Sequence, residues 1–312
     1  MNGLEDRLAG GLFGLLVGDA LGVPYEFTHP DEIPERRLIE MSPPSDFHRS
    51  HRNVPPGTWS DDGAQALCLL ESLLERDRFD LDDFSKRLVA WYERGHMAVD
   101  GRVFDVGVQT STALRALMAG LSPLEAGPAE ERHNGNGSLM RVLPLALWHR
   151  GPDEELVHDA YLQSHVTHAH ARSRVCCALY CLWARRTLTN HAAPWDDAVA
   201  TIRRIIEPDS VEAEALEFHI RPDDRELVGE GSGYVVDTLR SARMVLEAGS
   251  YEASVRAAIA LGNDTDTTAC VAGGIVGLRD GYEAIPQRWR EALRGRELAA
   301  PLLERLVSRH TR

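Results

Sequence analysis

The chain has 312 residues, which is enough to bury a large core in one domain or two. Its formal net charge of −14 argues against a protein that binds the nucleic-acid backbone through a basic surface. Its five cysteines lie in apolar helical segments and do not form the pattern of a disulfide-stabilised secreted domain. No basic segment precedes the first apolar run, and we find no run long enough to span a bilayer. We therefore predict a cytoplasmic protein with no membrane partner.

The N-terminal quarter of the chain predicts two helices separated by a long loop. Residues 4–21 have helical periodicity but contain four glycines, which cost helix stability, so we expect other helices to approach this backbone closely. Residues 28–57 are rich in proline, histidine and charge, and loops of that length are often lids or binding loops. A second apolar helix is predicted from Ala64 to about Leu74, and Ser60 lies at its N-terminal end.

The rest of the chain also has mainly helical periodicity. Further helices are predicted at 81–94, 108–118, 139–149, 153–165, 169–189, 195–206, 211–218, 233–248, 251–262, 265–279, 286–293 and 297–309. Ser138 is predicted to cap the helix 139–149. Almost no segment alternates with period two, and neither an internal repeat nor a linker composition is found. The sequence predicts an all-α protein with a single compact domain over residues 1–312.

Two clusters of oxygen side chains open apolar helices, and they carry the chemistry of the prediction. One is Asp264–Thr268, with two carboxylates and three hydroxyls, and the other is Thr58–Asp62. Carboxylates against a core are costly unless a cation or fixed donors compensate them, and hard oxygen ligands select Mg²⁺, Mn²⁺ or Ca²⁺. We predict that the two helix ends meet around metal. Capping of each helix by its own acids, without metal, is the alternative.

Other patterns suggest further chemistry, each with an ordinary alternative. The glycine-rich turn Asn134–Ser138 precedes a predicted helix and could seat a phosphate, or it could be a simple flexible loop. Gly231–Tyr234 repeats this pattern, and Tyr234 could stack on a base. The histidines of residues 165–170 and the nearby cysteines could suggest a zinc site, but they lack the spacing of zinc ligands. Asp264–Thr268 also matches the DxDxT motif of haloacid-dehalogenase-like phosphatases, but it lacks a preceding β-strand.

Several segments together resemble the ADP-ribosylglycohydrolase family over residues 10 to about 280. The matching segments are Gly14–Gly22 with Glu26, Trp59–Asp62, Gly137–Arg141, Thr167–His168 and Gly262–Thr267. The resemblance implies an orthogonal helical fold with a central dinuclear metal cleft that holds two divalent cations, Mg²⁺ or Mn²⁺. It also implies a hydrolase that removes ADP-ribose from a modified acceptor.

The resemblance assigns roles to individual positions of this chain. The implied metal ligands are Ser60, Asp61, Asp62, Asp264, Asp266 and Thr267. The implied catalytic residues are Glu26, Asp61, Asp62 and Asp266, with Glu26 closing the site and acting on the water or the leaving group. The resemblance implies substrate contacts at Asp105, Gly107, Thr110, Gly137, Ser138, Met140 and His168. The glycine-rich turn adds Gly135 and Asn136, and stacking adds Tyr234.

One position departs from the family pattern, and it leaves a second function open. The family usually has a threonine after the two aspartates of the first cluster, and this chain has Gly63. The alternative to an enzyme is an ADP-ribose-binding or immunity module that blocks a transferase without turnover; a structural, crystallin-like use is a third. The expected partners are an ADP-ribose-containing substrate and an ADP-ribosylated protein, bound by a monomer. The acceptor stays open among arginine, serine, a nucleic-acid base and O-acetyl-ADP-ribose.

Overall fold

Helices make up the fold, as the sequence predicts. The computed structural model describes residues 3–311, and within that range it contains no β-strand and one isolated antiparallel bridge between Gly135 and Tyr234. The α-helices are α1 Gly3–Gly22, α2 Asp61–Arg76, α3 Leu81–Arg94, α4 Val108–Met118, α5 Pro123–Ala126, α6 Leu143–Trp148, α7 Asp153–His165, α8 Ala171–Leu188, α9 Pro194–Ile205, α10 Val211–Glu214, α11 Val235–Val245, α12 Tyr251–Ile259, α13 Thr265–Asp280, α14 Gln287–Ala292 and α15 Arg296–Thr311. A π-helical segment, Ala215–Ile220, continues α10, and short 3₁₀ turns lie at Val23–Tyr25, Pro30–Glu32, Arg36–Leu38, Val99–Gly101, Leu246–Ala248 and Tyr282–Ala284.

The centre of the molecule is the packing of α1 along α13, the most extensive helix pair within the described residues. Glycines let the two backbones touch: a Cβ on Gly277 would overlap the carbonyl oxygen of Gly10, and one on Gly273 would overlap that of Gly14. The end of α1 meets the first turn of α13, where the Thr265 hydroxyl donates to the Gly22 carbonyl at 2.9 Å. The predicted close approach of other helices to the first one is confirmed.

The first helix is apolar for a structural reason. The sequence alone indicated no apolar run long enough to span a bilayer, but the segment Gly3–Tyr25, with a mean hydropathy of 1.4, has the length and composition to do so. Its most apolar stretch of 18 residues is wholly buried against the other helices. Its apolar character on all faces is explained by its position at the centre of the core.

The loop 28–57 is held against the helices at its middle. Glu40 pairs with Arg256 at 2.6 Å and with Arg288 at 3.0 Å, and its carboxylate accepts from the Trp289 indole N–H. The Tyr25 hydroxyl donates to the Glu40 carbonyl at 2.9 Å. The second half of the loop reaches Glu26, whose carbonyl accepts from the Ser50 hydroxyl at 2.6 Å.

One predicted helix is shorter than expected. The helix predicted over 139–149 begins only at Leu143, with a turn over 137–141 before it. Pro144 explains the difference, because a proline is tolerated in the first turn of a helix and disrupts its interior. The prediction that Ser138 caps this helix is therefore wrong.

Candidate active site

The N-terminus of α2 carries the first acid cluster. The Ser60 hydroxyl caps the helix by accepting from the Asp62 N–H at 3.3 Å. The N–H groups of Ser60 and Gly63 donate to the Asp19 carboxylate of α1, at 2.9 and 2.8 Å. Burial raises the pKa of Asp19 to about 7. Asp61 and Asp62 are thus fixed at the start of α2, and both are nearly fully buried.

The N-terminus of α13 carries the second cluster. Asp264 stands at the cap position, but its side chain makes no capping hydrogen bond. Its Oδ2 instead accepts from Asn136 Nδ2 at 2.9 Å. Asp266 Oδ1 accepts from the N–H of Thr267 at 2.9 Å, and Asp266 is completely buried. Capping of the two helices accounts for Ser60 but not for these carboxylates.

The two clusters meet at the floor of a cleft. Thr267 Oγ1 lies 3.4 Å from Asp62 Oδ1, and carboxylate oxygens of Glu26, Asp264 and Asp266 lie within 4.8 Å of one another. Asp62 Oδ2 and Asp266 Oδ2 are buried and have no hydrogen-bond partner within residues 3–311. Burial, and then the neighbouring carboxylates, raise the pKa values of Glu26, Asp62 and Asp266.

This geometry fits divalent cations. Buried carboxylate oxygens without a donor are unfavourable, and the mutual repulsion of several such groups adds to the cost. A hard cation with oxygen ligands removes both penalties. Asp62 Oδ2 and Asp266 Oδ2 are the clearest candidates for cation ligands, because no group in the described part of the chain donates a hydrogen bond to them.

A cavity of about 660 Å³ lies above the two clusters. The predicted residues that line it are Glu26, Asp61, Asp62, Asp105, Gly107, Thr110, Gly135, Asn136, Gly137, Met140, His168, Asp264 and Thr267. Ser60, Ser138, Asp266 and Tyr234 do not line it. Asp266 lies beneath the floor, and the Tyr234 side chain lies beside Arg172, with its backbone paired to Gly135.

The glycine-rich turn presents a backbone donor to the cleft. The N–H groups of Gly137 and Ser138 form no hydrogen bond within residues 3–311, whereas Asn136 N–H donates to the Gly233 carbonyl at 3.1 Å. The Ser138 hydroxyl points away from the cleft and lies 2.8 Å from Ser164 Oγ. Ser138 is also completely buried and does not line the cavity, so in this structure neither its side chain nor its backbone is open to a ligand, which differs from the expected contact.

His168 lies against this turn. It is 1% exposed, and its Nδ1 is 2.7 Å from Thr167 Oγ1. Its Nε2 faces the turn, because a Cβ on Gly137 would lie 3.2 Å from it. Burial lowers the pKa of His168 well below its usual range, so the imidazole is neutral.

Two residues near the acids were not identified from the sequence. His51, in the loop 28–57, has its Nε2 2.6 Å from Glu26 Oε2, and ligand atoms of Glu26, His51 and Asp105 lie within 4.8 Å of one another. Asp19 is the other; it is an acid within an apolar helix and lies in the matching segment Gly14–Gly22, but no role was assigned to it. His51 had no sequence signal beyond its place in a long loop, because only the fold brings that loop to Glu26.

The structure accounts for Gly63. A Cβ at this position would lie 2.8 Å from Trp59 Cγ and 2.8 Å from Leu16 Cδ2, both of them core side chains. Trp59 is 1% exposed and fills the space in which a larger side chain would lie. The glycine therefore matches the local packing, and its N–H helps Asp19 to hold α2 in place.

Two alternative interpretations are not supported. The three histidines of residues 165–170 have separate partners: His165 bonds the Leu124 carbonyl, His168 bonds Thr167 and His170 caps α8. The nearby cysteines are free and buried in α8. Asp264 follows α12 and opens α13, so it does not end the β-strand that a haloacid-dehalogenase-like nucleophile requires.

An all-α fold with paired acidic helix ends beneath a cleft is compatible with a glycohydrolase, and comparison with known proteins identifies the family. The family model described as ADP-ribosylglycohydrolase matches residues 1–312. The chain belongs to the ADP-ribosylglycohydrolase family.

Relatives and a solved structure agree with this assignment. The chain is 30% identical over 306 residues to the ADP-ribosylarginine hydrolase Tri1 of Pseudomonas putida, covering 97% of this chain and 78% of the relative. It is 27% identical to the ADP-ribosyl-[dinitrogen reductase] glycohydrolase of Rhodospirillum rubrum, covering 93% of this chain and 91% of that protein. A solved structure described as an ADP-ribosylglycohydrolase-related protein complex has a TM-score of 0.78 and 31% identity, and the match covers 98% of this chain and 99% of that one.

Proposed function

We propose that this protein removes ADP-ribose from the guanidino group of a modified arginine in a protein, with two divalent cations, Mg²⁺ or Mn²⁺. The observation that carries the proposal is the meeting of Asp62 with Thr267 above the unpartnered Asp266 Oδ2. Arginine is preferred as the acceptor because relatives at 30% identity are named ADP-ribosylarginine hydrolases. The acidic floor of the cleft also suits a cationic acceptor.

The residues proposed to hold the cations are those of the two helix ends. They are Ser60, Asp61, Asp62, Asp264, Asp266 and Thr267. Divalent cations bound there would compensate the carboxylates, grip vicinal ribose hydroxyls and lower the pKa of bound water. Their oxygen-only ligand set suits Mg²⁺ or Mn²⁺ better than a soft metal.

Glu26 is the proposed acid and base. Its carboxylate faces the cleft beside the two clusters, where it could exchange a proton with a water molecule at the cations. Glu26 takes a proton from water as the water oxygen bonds to the anomeric carbon and the bond from that carbon to the guanidino nitrogen breaks. The proton then passes to the leaving nitrogen. The reaction consumes one water and releases ADP-ribose and arginine, through an oxocarbenium-like transition state.

The glycine-rich turn is proposed to hold the diphosphate. The unpaired N–H group of Gly137, which lines the cavity, is a donor of the kind that cradles phosphate oxygens. His168 Nε2 lies on the same turn and can donate to the same ligand. All four of Met140, Thr110, Asp105 and Gly107 line the cavity. Met140 and Thr110 are proposed as wall contacts, and Asp105 and Gly107 are proposed to lie near the scissile sugar.

The mouth of the cleft is proposed to receive the modified protein. Two exposed apolar side chains, Phe27 and Val108, line the cavity at 69% and 84% exposure. Phe27 adopts a left-handed φ of 58°, which is uncommon for a bulky residue, and it projects beside the acidic floor. Apolar walls above acids suit the methylene stem and guanidinium of an arginine side chain.

A panel of acceptors tests the proposal. The purified protein is incubated with ADP-ribosylated arginine, serine and DNA and with O-acetyl-ADP-ribose, in Mg²⁺, Mn²⁺ or excess chelator. We expect release of ADP-ribose from arginine only, and only with a divalent cation. Asp266→Asn should be inactive, whereas Asp31→Asn, in an exposed carboxylate, serves as the matched control. Full activity in excess chelator, or no release from any acceptor, would overturn the proposal.

The oligomeric state, the partner and the cellular location of this protein are also proposed. We propose a monomer in the cytoplasm that acts on ADP-ribosylated proteins. The buried free cysteines are compatible with a reducing compartment. Light scattering on the purified protein and fractionation of cells test these two statements, since a stable dimer or a membrane-bound pool would contradict them.

A further inference from the structure

A buried arginine lies between the acid cluster and His168. Arg141 is 0% exposed and pairs with no carboxylate within the described residues. It donates to Gln163 Oε1 at 3.1 Å and to the Gln163 carbonyl at 2.8 Å, to Gln65 Oε1 at 2.7 Å and to Thr167 Oγ1 at 2.9 Å. Burying a guanidinium with neutral partners alone is costly, so a residue in this position needs a reason beyond packing.

The first branch from Arg141 reaches the acid cluster. A guanidinium has only donors, so the Gln65 atom that faces it must be the amide oxygen. The amide nitrogen of Gln65 then points the other way and donates to Asp61 Oδ2 at 3.0 Å. Arg141 thus fixes which end of the Gln65 amide meets Asp61, and one oxygen of that carboxylate is held while the other is left for a cation.

The second branch reaches His168. Thr167 Oγ1 accepts from Arg141, and the only acceptor for its own hydroxyl proton within residues 3–311 is His168 Nδ1, at 2.7 Å. A Thr167 hydroxyl that donates to Nδ1 requires this nitrogen to carry no proton. In a neutral imidazole the proton then sits on Nε2, the nitrogen that faces the Gly137 turn.

We propose that Arg141 is a positioning residue that sets the direction of both hydrogen-bond chains, so that Asp61 is held through Gln65 and His168 is kept as the Nε2–H tautomer. The His168 imidazole is then a donor to an oxygen of the bound ADP-ribose. The role toward substrate rests on the proposed function, but the direction of the two chains does not. An arginine is suited to this task because it cannot accept a hydrogen bond and does not lose its proton.

The tautomer of His168 gives the most direct test. Nitrogen-15 NMR distinguishes a protonated from an unprotonated ring nitrogen, and the signals of His168 are identified by their loss in His168→Gln. We expect the proton on Nε2 in the wild-type protein and in Thr167→Ser, which keeps the hydroxyl. In Thr167→Val, which has the same shape without a donor, the proton should move at least partly to Nδ1. A proton on Nδ1 in the wild type, or no change in Thr167→Val, would overturn the proposal.

Binding measurements separate the two branches and do not need turnover. At saturating Mn²⁺, Thr167→Val should weaken the binding of ADP-ribose by about tenfold, the effect of one hydrogen bond to a charged ligand. Gln65→Leu should instead weaken the binding of Mn²⁺ and leave the His168 tautomer unchanged. Arg141→Lys, which keeps the charge but not the fork of donors, should show both losses. Equal effects of Thr167→Val and Gln65→Leu on both ligands would contradict two separate branches.

These readouts also separate this proposal from the proposed hydrolysis. If the tautomer and binding results are as expected but no acceptor is hydrolysed, the proposed function fails and the positioning role of Arg141 stands. If hydrolysis is observed but the tautomer of Thr167→Val is unchanged, the positioning role fails and the function stands. Arg141→Met is a weaker test because removal of a buried guanidinium can unfold the protein, so the Thr167 and Gln65 variants decide the matter.

Discussion

Thr267 donates from its hydroxyl to Asp62 Oδ1 at 3.4 Å, although 205 positions separate the two residues in the sequence. The contact joins the first turn of α13 to the first turn of α2, and it lies below the cleft. Each helix alone would be an ordinary capped helix. Their contact concentrates carboxylates in a buried volume, and the proposed metal requirement rests on this crowding.

Replacing one of these carboxylates should separate activity from stability. For Asp62→Asn we expect a loss of turnover of about 100-fold or more, because even a group that only supports a metal ligand commonly contributes 10–100-fold. In chelator, the same variant should unfold at a higher temperature than the wild type, because one repelling buried charge is removed. Thermal unfolding with and without Mn²⁺, together with the acceptor assay, measures both effects.

Asp31→Asn is the control for this prediction, since it removes an exposed carboxylate of the same size. A wild-type melting temperature that is the same in chelator and in Mn²⁺ would contradict metal binding at the acid clusters.

The metal-free protein should lose stability as the pH rises. Burial raises the pKa of Asp19 to about 7, above the value of about 3.9 in an unfolded chain. Between these two values the folded protein binds more protons than the unfolded chain, so its free energy of unfolding decreases with increasing pH. This contribution is fully present below about pH 4 and is lost as the pH rises through about 7. Glu26, Asp62 and Asp266 act in the same direction.

Urea unfolding in chelator at several pH values measures this dependence. Asp19→Asn keeps an acceptor for the N–H groups of Ser60 and Gly63 but does not titrate, so the slope should be shallower in this variant. Saturating Mn²⁺ should also reduce the slope, because bound cations favour the charged carboxylates. A wild type that gains stability in chelator between about pH 4 and about pH 7, relative to Asp19→Asn, would have the opposite sign to the prediction.

The contact between α1 and α13 should not tolerate a methyl group. A Cβ on Gly277 would overlap the carbonyl oxygen of Gly10 and force the two helices apart. We expect Gly277→Ala to lower the free energy of unfolding by about 1–3 kcal/mol, the usual cost of overpacking. Gly3→Ala, in the same pair of helices, meets nothing within 4 Å and should be nearly neutral or stabilising. Equal stability of the two variants would contradict the close approach of these backbones.

His51 should contribute to the chemical step through Glu26. His51→Ala removes the imidazole whose Nε2 lies 2.6 Å from Glu26 Oε2, and we expect kcat to decrease by about tenfold with little change in the binding of ADP-ribose. The dependence of kcat on pH should also shift, because Glu26 loses its partner. His48→Ala, in an exposed residue of the same loop, is the control. A change in ADP-ribose affinity without a change in kcat would instead place His51 in substrate binding.

The sequence predicted the fold class and most helices because their apolar periodicity is local information. The glycines of α1 also predicted a close helix contact, since few other roles explain four glycines in one buried helix. The predicted start of α6 is wrong because residues 139–142 have helical periodicity but precede Pro144. A proline fits in the first turn of a helix, so α6 begins only at Leu143.

From residue patterns alone, the metal site could be predicted only where its residues form a cluster in the sequence, whereas Glu26, Asp105 and His168 were predicted from the family resemblance. Asp61, Asp62, Asp264 and Asp266 stand in pairs at helix starts, and this pattern is visible without a structure. His51, Asp19 and Arg141 act through long-range contacts, and nothing next to them in the sequence indicates their partners. The inward side chain of Ser138 could not be predicted either, because it depends on Ser164 of α7.

Anomalous diffraction from crystals grown with Mn²⁺ tests the central claim most directly, because the scattering of Mn²⁺ identifies each ion and its ligands. The account predicts two peaks on the floor of the cleft, bound by oxygen atoms of Asp61, Asp62, Asp264, Asp266 and Thr267. Both peaks should be lost from crystals of Asp266→Asn. A protein that hydrolyses ADP-ribosylated arginine while no peak lies between the two helix ends would contradict the account.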